Sequence, residues 1–573
     1  MLATDFRTSF KWKLQEGVFA YAIPAFVMVI LGVFFVFPIG TLVLKSFIGP
    51  AGFTLEYFRL LFQNQLHTTA IVNSLQIGLY STLTATLISI PLGLIHVKCK
   101  FKGKGFLFGL ILLPMIMPPF VGAIGIQQFF SLYGAINLFL ISHNIIATPI
   151  PWLENNHSFY IVILLEALHL YPILYLNLTA ALSNIDPSLE EMADLFGVSK
   201  LRKLTSILLP LATPGFIAGA TVVFIWSFTD LGTPLLVGYH EVVPVRIFNM
   251  VTDIQENPMG FALVFIVILM TMLFFGISRL TLRNTKKYEM MAKGHVTESA
   301  KSTSFFGTLL IYIFCIVILF FALFPHLSVL LKSVSENWFM TALPEKYTLE
   351  HYTKIFVQEL PFIGIKNSLF YSSISTLFDL IFGVAIAYLL TRKKLPFGSL
   401  FESIVMLPLA IPGIVLAFGY IVTFSNTPLD PLSNPVPLLI ISYGIRRLPY
   451  MVRSATAGLQ QTHISLEESS SLFGASRSHT LRKVIAPILT ANLIAGGLLC
   501  FSYAMLDVSD SLLLAMKEQF FPITKSIYTL YLEQGNGDVT ASALGMFVML
   551  LLGGAILLAA NILGKKLGEL FRS

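Results

Sequence analysis

The sequence predicts an all-α polytopic membrane protein with about twelve transmembrane helices, arranged as two parallel six-helix repeats. The first observation is composition: 55% of the 573 residues are hydrophobic and only 12% are charged, against about 25% charged residues in soluble domains. The second is a series of apolar runs of membrane-spanning length. The third is an internal sequence repeat. Together they exclude an aqueous enzyme, a disordered scaffold and a nucleic-acid-binding protein.

Each predicted span is an apolar run long enough to cross a bilayer core, which takes about 20 helical residues. The first six predicted spans are 18–44, 70–96, 105–131, 158–181, 211–236 and 259–281. The second six are 305–331, 365–391, 400–425, 436–460, 488–513 and 540–564. The first run is too long for a cleaved signal peptide, whose apolar region has about 7–15 residues.

The basic residues predict how the spans are oriented. Most of the 37 Lys and Arg fall in segments that share one side of the membrane if the N-terminus is cytoplasmic. Cytoplasmic loops carry such an excess of basic residues. We therefore expect a bacterial inner-membrane protein with cytoplasmic N- and C-termini. The formal charge of +7 then reflects topology and does not call for a nucleic-acid partner.

The repeat is visible in short segments that recur at fixed offsets. Segments 294 positions apart that match are 53–57 with 347–351, 73–75 with 367–369, and 113–118 with 407–412. Segment 189–197 matches 466–474 at an offset of 277, and so do Asp230 and Asp507. An even number of spans per repeat makes the two repeats parallel. The predicted domains are a first repeat at 1–283, a cytoplasmic linker at 284–303 and a second repeat at 304–573.

A short polar segment between the fourth and fifth spans carries the same pattern in both repeats. The patterned residues are Glu190, Glu191, Ala193, Gly197 and Pro210 in the first repeat, and Glu467, Glu468, Gly474 and Pro487 in the second. The residues before each glycine can form a short helix outside the membrane, which the glycine can end in a left-handed conformation. Such a helix can transmit force from a soluble partner to the spans at its ends. The alternative is an amphipathic loop lying on lipid headgroups.

These two segments, 190–214 and 467–491, resemble the EAA loops of the permease subunits of binding-protein-dependent ABC importers. The resemblance implies a type I ABC importer permease fold with two permease halves fused in one chain. It also implies that each loop forms a coupling helix seated in a groove of an ATPase subunit, with its Glu facing that subunit. The second copy departs from the family pattern with Ser469 and Ser470 in place of alanines and Ala486 in place of leucine.

From Phe35 to Leu563 the chain is similar to fused ferric-iron transport permeases, which overlap in sequence with permeases for 2-aminoethylphosphonate, thiamine and polyamines. Segments 228–234 and 447–453 carry this likeness. It implies import of ferric iron, and the other three cargoes stay open because selectivity in such systems rests largely with the binding protein. Two arginines within one predicted span would suit an anion, such as a phosphonate or an anion-chelated ferric ion.

The partners follow from the same resemblance. The chain has no G-x4-G-K-[ST] motif, the loop that cradles nucleotide phosphates, so we expect no enzyme activity and no cofactor on this chain. ATP and Mg²⁺ are expected on two copies of a separate ABC ATPase, and an extracytoplasmic solute-binding protein is expected on the opposite face. The alternative is a secondary transporter driven by an ion gradient, which explains the spans but not the paired loops.

Ionisable residues and prolines within the spans are the candidates for the transport pathway, because buried charges and broken helices are costly in a membrane. The candidates are Glu166, His169, Asp230, Arg446, Arg447, Asp507, Asp510, Pro114, Pro118, Pro408 and Pro412. We expect Arg446 or Arg447 to be neutralised by Asp507 or Asp510, beside the pathway or as a structural ion pair away from it. The Leu-Pro-x3-Pro motifs are expected to form either a kinked pair of gates or fixed kinks used for packing.

Overall fold

The twelve predicted segments are all helical, as single helices or as broken pairs. The computed structural model describes residues 22–50, 52–154, 157–251, 259–289, 301–392, 397–533 and 537–563. Within these residues, ten helices are long and apolar enough to cross a membrane, and a bent pair makes eleven. The helix in the remaining predicted span has 26 residues, about 39 Å at 1.5 Å per residue, but its arginines make it less apolar. The predicted cytoplasmic ends at 1–21 and 564–573 lie outside the described residues.

The helices follow the same order in both halves. In the first half they are α1 (Ala22–Phe47), α2 (Glu56–Gln63), α3 (Gln65–Lys98), α4 (Lys104–Ile111), α5 (Pro119–Phe130), α6 (Ala135–Ser142), α7 (His157–Ser183), α8 (Pro187–Leu195), α9 (Leu209–Thr229), α10 (Gly232–Val237), α11 (Val243–Met250) and α12 (Met259–Glu289). In the second half they are α13 (Phe305–Ser333), α14 (Glu350–Val357), α15 (Glu359–Arg392), α16 (Gly398–Met406), α17 (Gly413–Phe424), α18 (Val436–Gln461), α19 (Ser465–Leu472), α20 (Ala486–Met505), α21 (Ser509–Leu514), α22 (Ile523–Leu532) and α23 (Gly537–Leu563).

Short elements join these helices. Single turns of 3-10 helix lie at Leu113–Met115, Leu407–Ala410 and Glu518–Phe520, and π-helical turns lie at Gly32–Val36, Leu204–Leu208 and Leu481–Ile485. The helical turns Lys200–Lys203 and Arg477–Thr480 precede the latter two π-helical turns. Strand β1 (Ile48–Gly49) pairs antiparallel with β2 (Gly52–Phe53), and β3 (Cys99–Lys100) pairs parallel with β4 (Lys301–Ser302).

Three long helices form the core of each half: α3, α7 and α9 in the first, and α15, α18 and α20 in the second. Small residues let these backbones approach closely, as is common where apolar helices pack in membranes. A Cβ on Gly219 of α9 would stand 2.9 Å from the side chain of Leu174 in α7, and one on Gly383 of α15 would stand 2.5 Å from Met451 in α18. Each core is therefore a tightly packed unit.

The first helix of each half packs against the opposite half. Helix α13 lies on α5, and α1 lies on α17. A Cβ on Gly125 of α5 would come within 2.0 Å of the carbonyl oxygen of Pro325 in α13, and one on Gly419 of α17 would come within 3.1 Å of Pro38 in α1. The hydroxyl of Ser328 also donates to the Gly125 carbonyl at 2.9 Å. This exchange of first helices interlocks the two repeats.

One repeated motif, 73–75 with 367–369, makes the same hydrogen bond in both halves. The backbone N–H of Val243 donates to the hydroxyl of Ser74 at 2.9 Å, and that of Ile523 donates to the hydroxyl of Ser368 at 2.7 Å. Each bond satisfies an N–H in the first turn of a helix, α11 or α22, which has no partner within the helix itself. The motif therefore has a structural reason to be present twice.

Two predicted spans are broken rather than continuous. Segment 105–131 is α4 and α5, separated at Pro118, and segment 400–425 is α16 and α17, which meet at 97° beside Pro412. Proline has no N–H and disfavours helical geometry at the residue before it. Two such residues one turn apart end the helix instead of kinking it.

One more prediction of extent was wrong, because span 211–236 ends as a helix at Thr229. Predicted span 488–513 lies within the membrane-length segment Arg482–Leu514, whose helix is interrupted between Met505 and Ser509. The predicted linker 284–303 begins as helix, because α12 continues to Glu289, and ends in β4, which pairs with β3 of the first half. Residues 290–300 lie outside the described part of the chain.

Candidate functional site

A cavity of about 210 Å³ lies between the two halves, deep within the helices. The predicted pathway residues that line it are Pro118, Glu166, His169, Asp230, Pro408, Pro412, Arg446, Arg447 and Asp507. Pro114 and Asp510 lie behind this wall and contact residues that form it. Glu166 is nine residues after the start of α7, about 14 Å along a helix of about 40 Å. The sequence candidates from both repeats thus meet inside the helix bundle, with Glu166 about a third of the way along α7.

The second-half wall of the cavity is an ion-pair network. Nη1 of Arg446 donates to Oδ2 of Asp507 at 2.6 Å and to Oδ2 of Asp510 at 2.8 Å. Nη2 of Arg447 donates to Oδ2 of Asp507 and, at 2.8 Å, to the carbonyl of Tyr503. The hydroxyl of Ser442 donates to Asp510 at 2.8 Å. The predicted neutralisation of these arginines by the two aspartates is confirmed as a contact.

The first-half wall carries carboxyl groups and a histidine instead. Glu166 is only 2% exposed, and its Oε1 has no hydrogen-bond partner among the residues that the structure describes. His169 shares a hydrogen bond through Nδ1 with the carbonyl of Pro114 at 2.8 Å. Oδ2 of Asp230 accepts from the N–H of Thr233 at 2.8 Å. Among the described residues, no Lys or Arg of the first half lines the cavity.

Asp230 and Asp507 both lie where one helix ends and a short helix begins. Asp230 comes directly after the span Lys200–Thr229, whereas Asp507 lies inside the span Arg482–Leu514, as the sequence predicted. Asp507 accepts through Oδ1 from the N–H of Asp510 at 2.9 Å, which matches the bond from Thr233 to Asp230. Each aspartate lies one residue before the N-cap of the next short helix, α10 or α21, and accepts from an N–H in its first turn. Such N–H groups have no partner within the helix itself. The helix breaks place backbone and carboxyl groups at the cavity, as in transporters whose sites are built from discontinuous helices.

Sequence reasoning missed the glycine that follows the second proline motif. Gly413 lines the cavity, and a Cβ there would stand 2.3 Å from Nη1 of Arg446. Pro412 before it is extended, with φ −62° and ψ 146°, as is Pro118 in the other half, with φ −66° and ψ 127°. The dipeptide Pro-Gly is a local turn signal, but the approach of Arg446 depends on tertiary packing. Among the described residues, no group of His, Cys, Asp and Glu is arranged to hold a metal ion.

The two predicted short helices outside the spans are present as α8 and α19. Gly197 has φ +67° and Gly474 has φ +77°, so both glycines end their helices in the left-handed conformation that favours glycine. The N–H of Ser188 donates to Asp186 at 2.9 Å at the start of α8, and this bond holds the pKa of Asp186 below its usual value. Ala193 is buried.

The neighbouring glutamates of these helices face different surroundings. Glu191 and Glu468 are exposed. Glu190 pairs with Lys98 at the end of α3, and Glu467 pairs with Arg392 at the end of α15, where Nε and Oε1 are 2.7 Å apart. The sequence candidates contained these glutamates but not their basic partners. A signal was present, because Lys98 and Arg392 are 294 positions apart, the offset of the repeat.

The described geometry can be set beside known proteins. The model of a protein family described as "Binding-protein-dependent transport system inner membrane component" matches residues 85–287 and again 379–569. The chain belongs to this family. It is a permease with two family domains in one chain, and the match decides against the ion-gradient-driven secondary transporter considered from the sequence.

Relatives of this permease differ in the cargo that their names give. It is 26% identical over 516 residues to the ferric transport system permease protein FbpB of Actinobacillus pleuropneumoniae, covering 87% of this chain and 72% of that protein. It is 28% identical over 189 residues to the molybdate/tungstate permease WtpB of Pyrococcus furiosus, covering 33% and 73%. It is 24% identical over 261 residues to the 2-aminoethylphosphonate permease PhnU of Salmonella typhimurium, covering 45% and 91%.

The permease exposes two matching apolar patches, one at the end of α8 and one at the end of α19. Leu195 and Phe196 at the end of α8 are 86% and 85% exposed, and Leu472 and Phe473 at the end of α19 are 87% and 92% exposed. Large apolar side chains exposed together mark surfaces that meet a partner protein or a membrane. Pro210 and Pro487 come directly after the π-helical turns Leu204–Leu208 and Leu481–Ile485, where the backbone changes from π-helix to α-helix.

Proposed function

We propose that this permease forms the pathway by which ferric iron enters the cytoplasm, with the cavity between its halves as part of that pathway. The observation that carries the proposal is the meeting of helix breaks from both repeats around buried ionisable groups that line one cavity. Buried charges and broken helices in a membrane occur where they line a cavity or an ion path. The ferric name of a relative that spans most of the chain supports the cargo.

The membrane arrangement is part of the proposal. Repeats 1–283 and 304–573, joined by the linker 284–303, place both EAA loops and both chain ends in the cytoplasm. An extracytoplasmic solute-binding protein then delivers cargo to the opposite face. The distribution of basic residues supports this orientation.

Coupling to ATP hydrolysis is assigned to α8 and α19, each docked on one copy of a separate ABC ATPase. Glu191 and Glu468 face the ATPase because they are exposed, and the apolar patches at the ends of both helices enter its surface. Glu190 and Glu467, paired with basic ends of α3 and α15, tie each docked helix to the long helices of its core. Movement of the ATPase thereby reaches the helices that line the cavity.

The pathway is tested by modifying a thiol placed in the cavity. Thr229 lines the cavity at the end of α9, and Thr221 stands two turns earlier on the same helix without lining it. In a chain whose three native cysteines are replaced by alanine, a charged methanethiosulfonate reagent should abolish uptake through T229C and leave T221C active. Unimpaired uptake by fully modified T229C would remove the cavity from the pathway.

The cargo is tested by uptake into cells that lack or express this gene together with its ATPase and binding protein. Radiolabelled ferric iron uptake should depend on the gene, whereas 2-aminoethylphosphonate, thiamine and spermidine uptake should not. A second cargo is favoured by one observation, the match to a phosphonate permease over 45% of the chain. Gene-dependent phosphonate uptake with unchanged iron uptake would replace the ferric assignment.

A further inference from the structure

The two walls of the cavity are built from equivalent positions that hold different charges. Residues 277 positions apart correspond as Glu166 with Tyr443, His169 with Arg446, Asp230 with Asp507, and Thr233 with Asp510. The aspartates at 230 and 507 make the same helix cap. Among the described residues, the first wall has carboxyl groups but no Lys or Arg, and the second wall has carboxyl groups together with two arginines.

The arginines do not give the cavity an uncompensated positive charge. Arg446 is paired with Asp507 and Asp510, and Arg447 is paired with Asp507. Asp379 of α15, 1% exposed, adds a further negative group that acts on Arg447. Because carboxyl groups already balance both guanidinium groups, the expectation from sequence that the two arginines suit an anion loses its physical basis.

The carboxyl groups of the first wall have no such compensation. Glu166 and Asp230 form no ion pair among the described residues, and they interact electrostatically with one another across the wall. His169 on α7 is a titratable neighbour of Asp230, and His326 on α13 is in turn a neighbour of His169. Oε1 of Glu166 is buried without a hydrogen-bond partner in the described part of the chain. A buried carboxylate in this position is costly unless a cation or a proton joins it.

We propose that the carboxyl groups of Glu166 and Asp230 form a two-ligand cation subsite through which the cargo passes. The inference rests on the proposed function in taking the cavity as the pathway. Carboxylate oxygens are the ligands that hard metal cations prefer. The subsite offers fewer ligands than a resident metal site, in accord with the described residues lacking a preassembled metal-binding group. A passing ion must be held weakly enough to leave.

The subsite is tested with Tb³⁺, a hard trivalent cation whose luminescence is excited through a nearby indole ring. Trp226 lines the same cavity, so the purified full-length chain in uncharged detergent should give saturable Tb³⁺ luminescence. E166Q should weaken Tb³⁺ binding by about tenfold or more, because ligand charge sets affinity for such ions. D379N, which changes an equally buried carboxyl that does not line the cavity, should bind like the wild-type chain.

Further variants locate the ion and separate the two proposals. W226F should lose the luminescence but still bind Tb³⁺ when binding is measured by equilibrium dialysis, and La³⁺ should displace that Tb³⁺. E166D should recover part of the affinity lost in E166Q. Wild-type Tb³⁺ affinity in E166Q, or no saturable signal in the wild-type chain, would overturn the subsite. The pathway would still stand in that case if modified T229C is blocked. Tb³⁺ binding that depends on Glu166 together with unblocked T229C would instead overturn the pathway.

Discussion

The two walls of the cavity share a backbone design and differ in charge. In both, an aspartate ends one helix and caps the next, at Asp230 and at Asp507. On the second wall, Arg446 and Arg447 tie that aspartate into a network, whereas the first wall leaves Glu166 without an ion pair among the described residues. Duplication therefore conserved the helix break, which geometry requires, while the side chains around it took separate roles.

This difference predicts that the same substitution lowers the free energy of unfolding by different amounts in the two halves. D507N leaves Arg446 and Arg447 buried with much of their counter-charge removed, and breaking a buried pair in this way costs about 3–5 kcal/mol. D230N keeps a side chain that caps a helix about as well as aspartate and strands no buried cation, so its cost should stay below about 1 kcal/mol. Thermal unfolding of the two purified variants should show a much lower midpoint for D507N. Equal midpoints would mean that the second-wall network does not stabilise the fold.

A control keeps that comparison independent of side-chain volume. D510N removes a carboxylate that shares Arg446 with Asp507, so it should destabilise less than D507N, which faces both arginines. The expected order of unfolding midpoints is D230N highest, D510N intermediate and D507N lowest. If D510N unfolds at a lower temperature than D507N, then Asp510 and not Asp507 is the main counter-ion of the arginines.

The ion pairs that link α8 and α19 to the long helices should also differ in strength between the two halves, by a smaller amount. Arg392 donates to Glu467 and, through Nη2, to the carbonyls of Leu459 and Thr462 at 2.9 and 2.6 Å. R392A should therefore loosen α19 by about 2–3 kcal/mol, since hydrogen bonds to charged groups contribute about 1.5–3 kcal/mol. K98A, which removes the ion pair of Glu190, should loosen α8 by about 1 kcal/mol.

Hydrogen exchange measures this pair of effects directly, because it reports local opening of α8 and α19 separately. Exchange in α19 should rise more in R392A than exchange in α8 rises in K98A. The charge reversal R392E should be partly rescued by E467R if the ion pair holds the helix. No rescue would assign the stabilisation to the two carbonyl bonds of Arg392 alone.

The smallest expected difference between the halves is for a pair of variants that should lose the same stability. S74A and S368A each leave one N–H at the start of a helix without its hydroxyl acceptor, at a cost of about 1–3 kcal/mol. Both bonds are buried, so the two unfolding midpoints should fall by the same amount and exchange should rise at the amides of Val243 and Ile523. A clear difference between the variants would show that the repeats have diverged in packing as well as in charge.

The sequence predicts the helices, but it predicts only some of the positions where they are interrupted. Apolar length places a helix because a bilayer forces backbone hydrogen bonds to form internally. The prolines at 118 and 412 signalled interruption, and the structure shows a full break at both. At Asp230 and Asp507 the polar side chain was visible, but its capping bond depends on a turn that apolar periodicity does not encode.

The residues of the candidate site were likewise predicted only in part from the sequence. Residue type and repeat position selected every Asp, Glu, His and Arg that lines the cavity, because buried ionisable groups are rare in membrane helices. Gly413, Lys98 and Arg392 were missed, since their importance comes from a close approach or a partner distant in sequence. Glu190 and Glu191 could not be told apart, as adjacent helix residues point about 100° away from each other and only packing shows which one is covered.

The sequence by itself determined that this protein is a duplicated helical membrane protein with two matching outer helices, because hydropathy and repetition are properties of the chain alone. Tertiary structure decided how the charges are used. It paired both arginines with aspartates and left Glu166 facing Asp230. The physical reason is that the energy of a buried charge depends on distances to its neighbours, and those neighbours come from helices far apart along the chain.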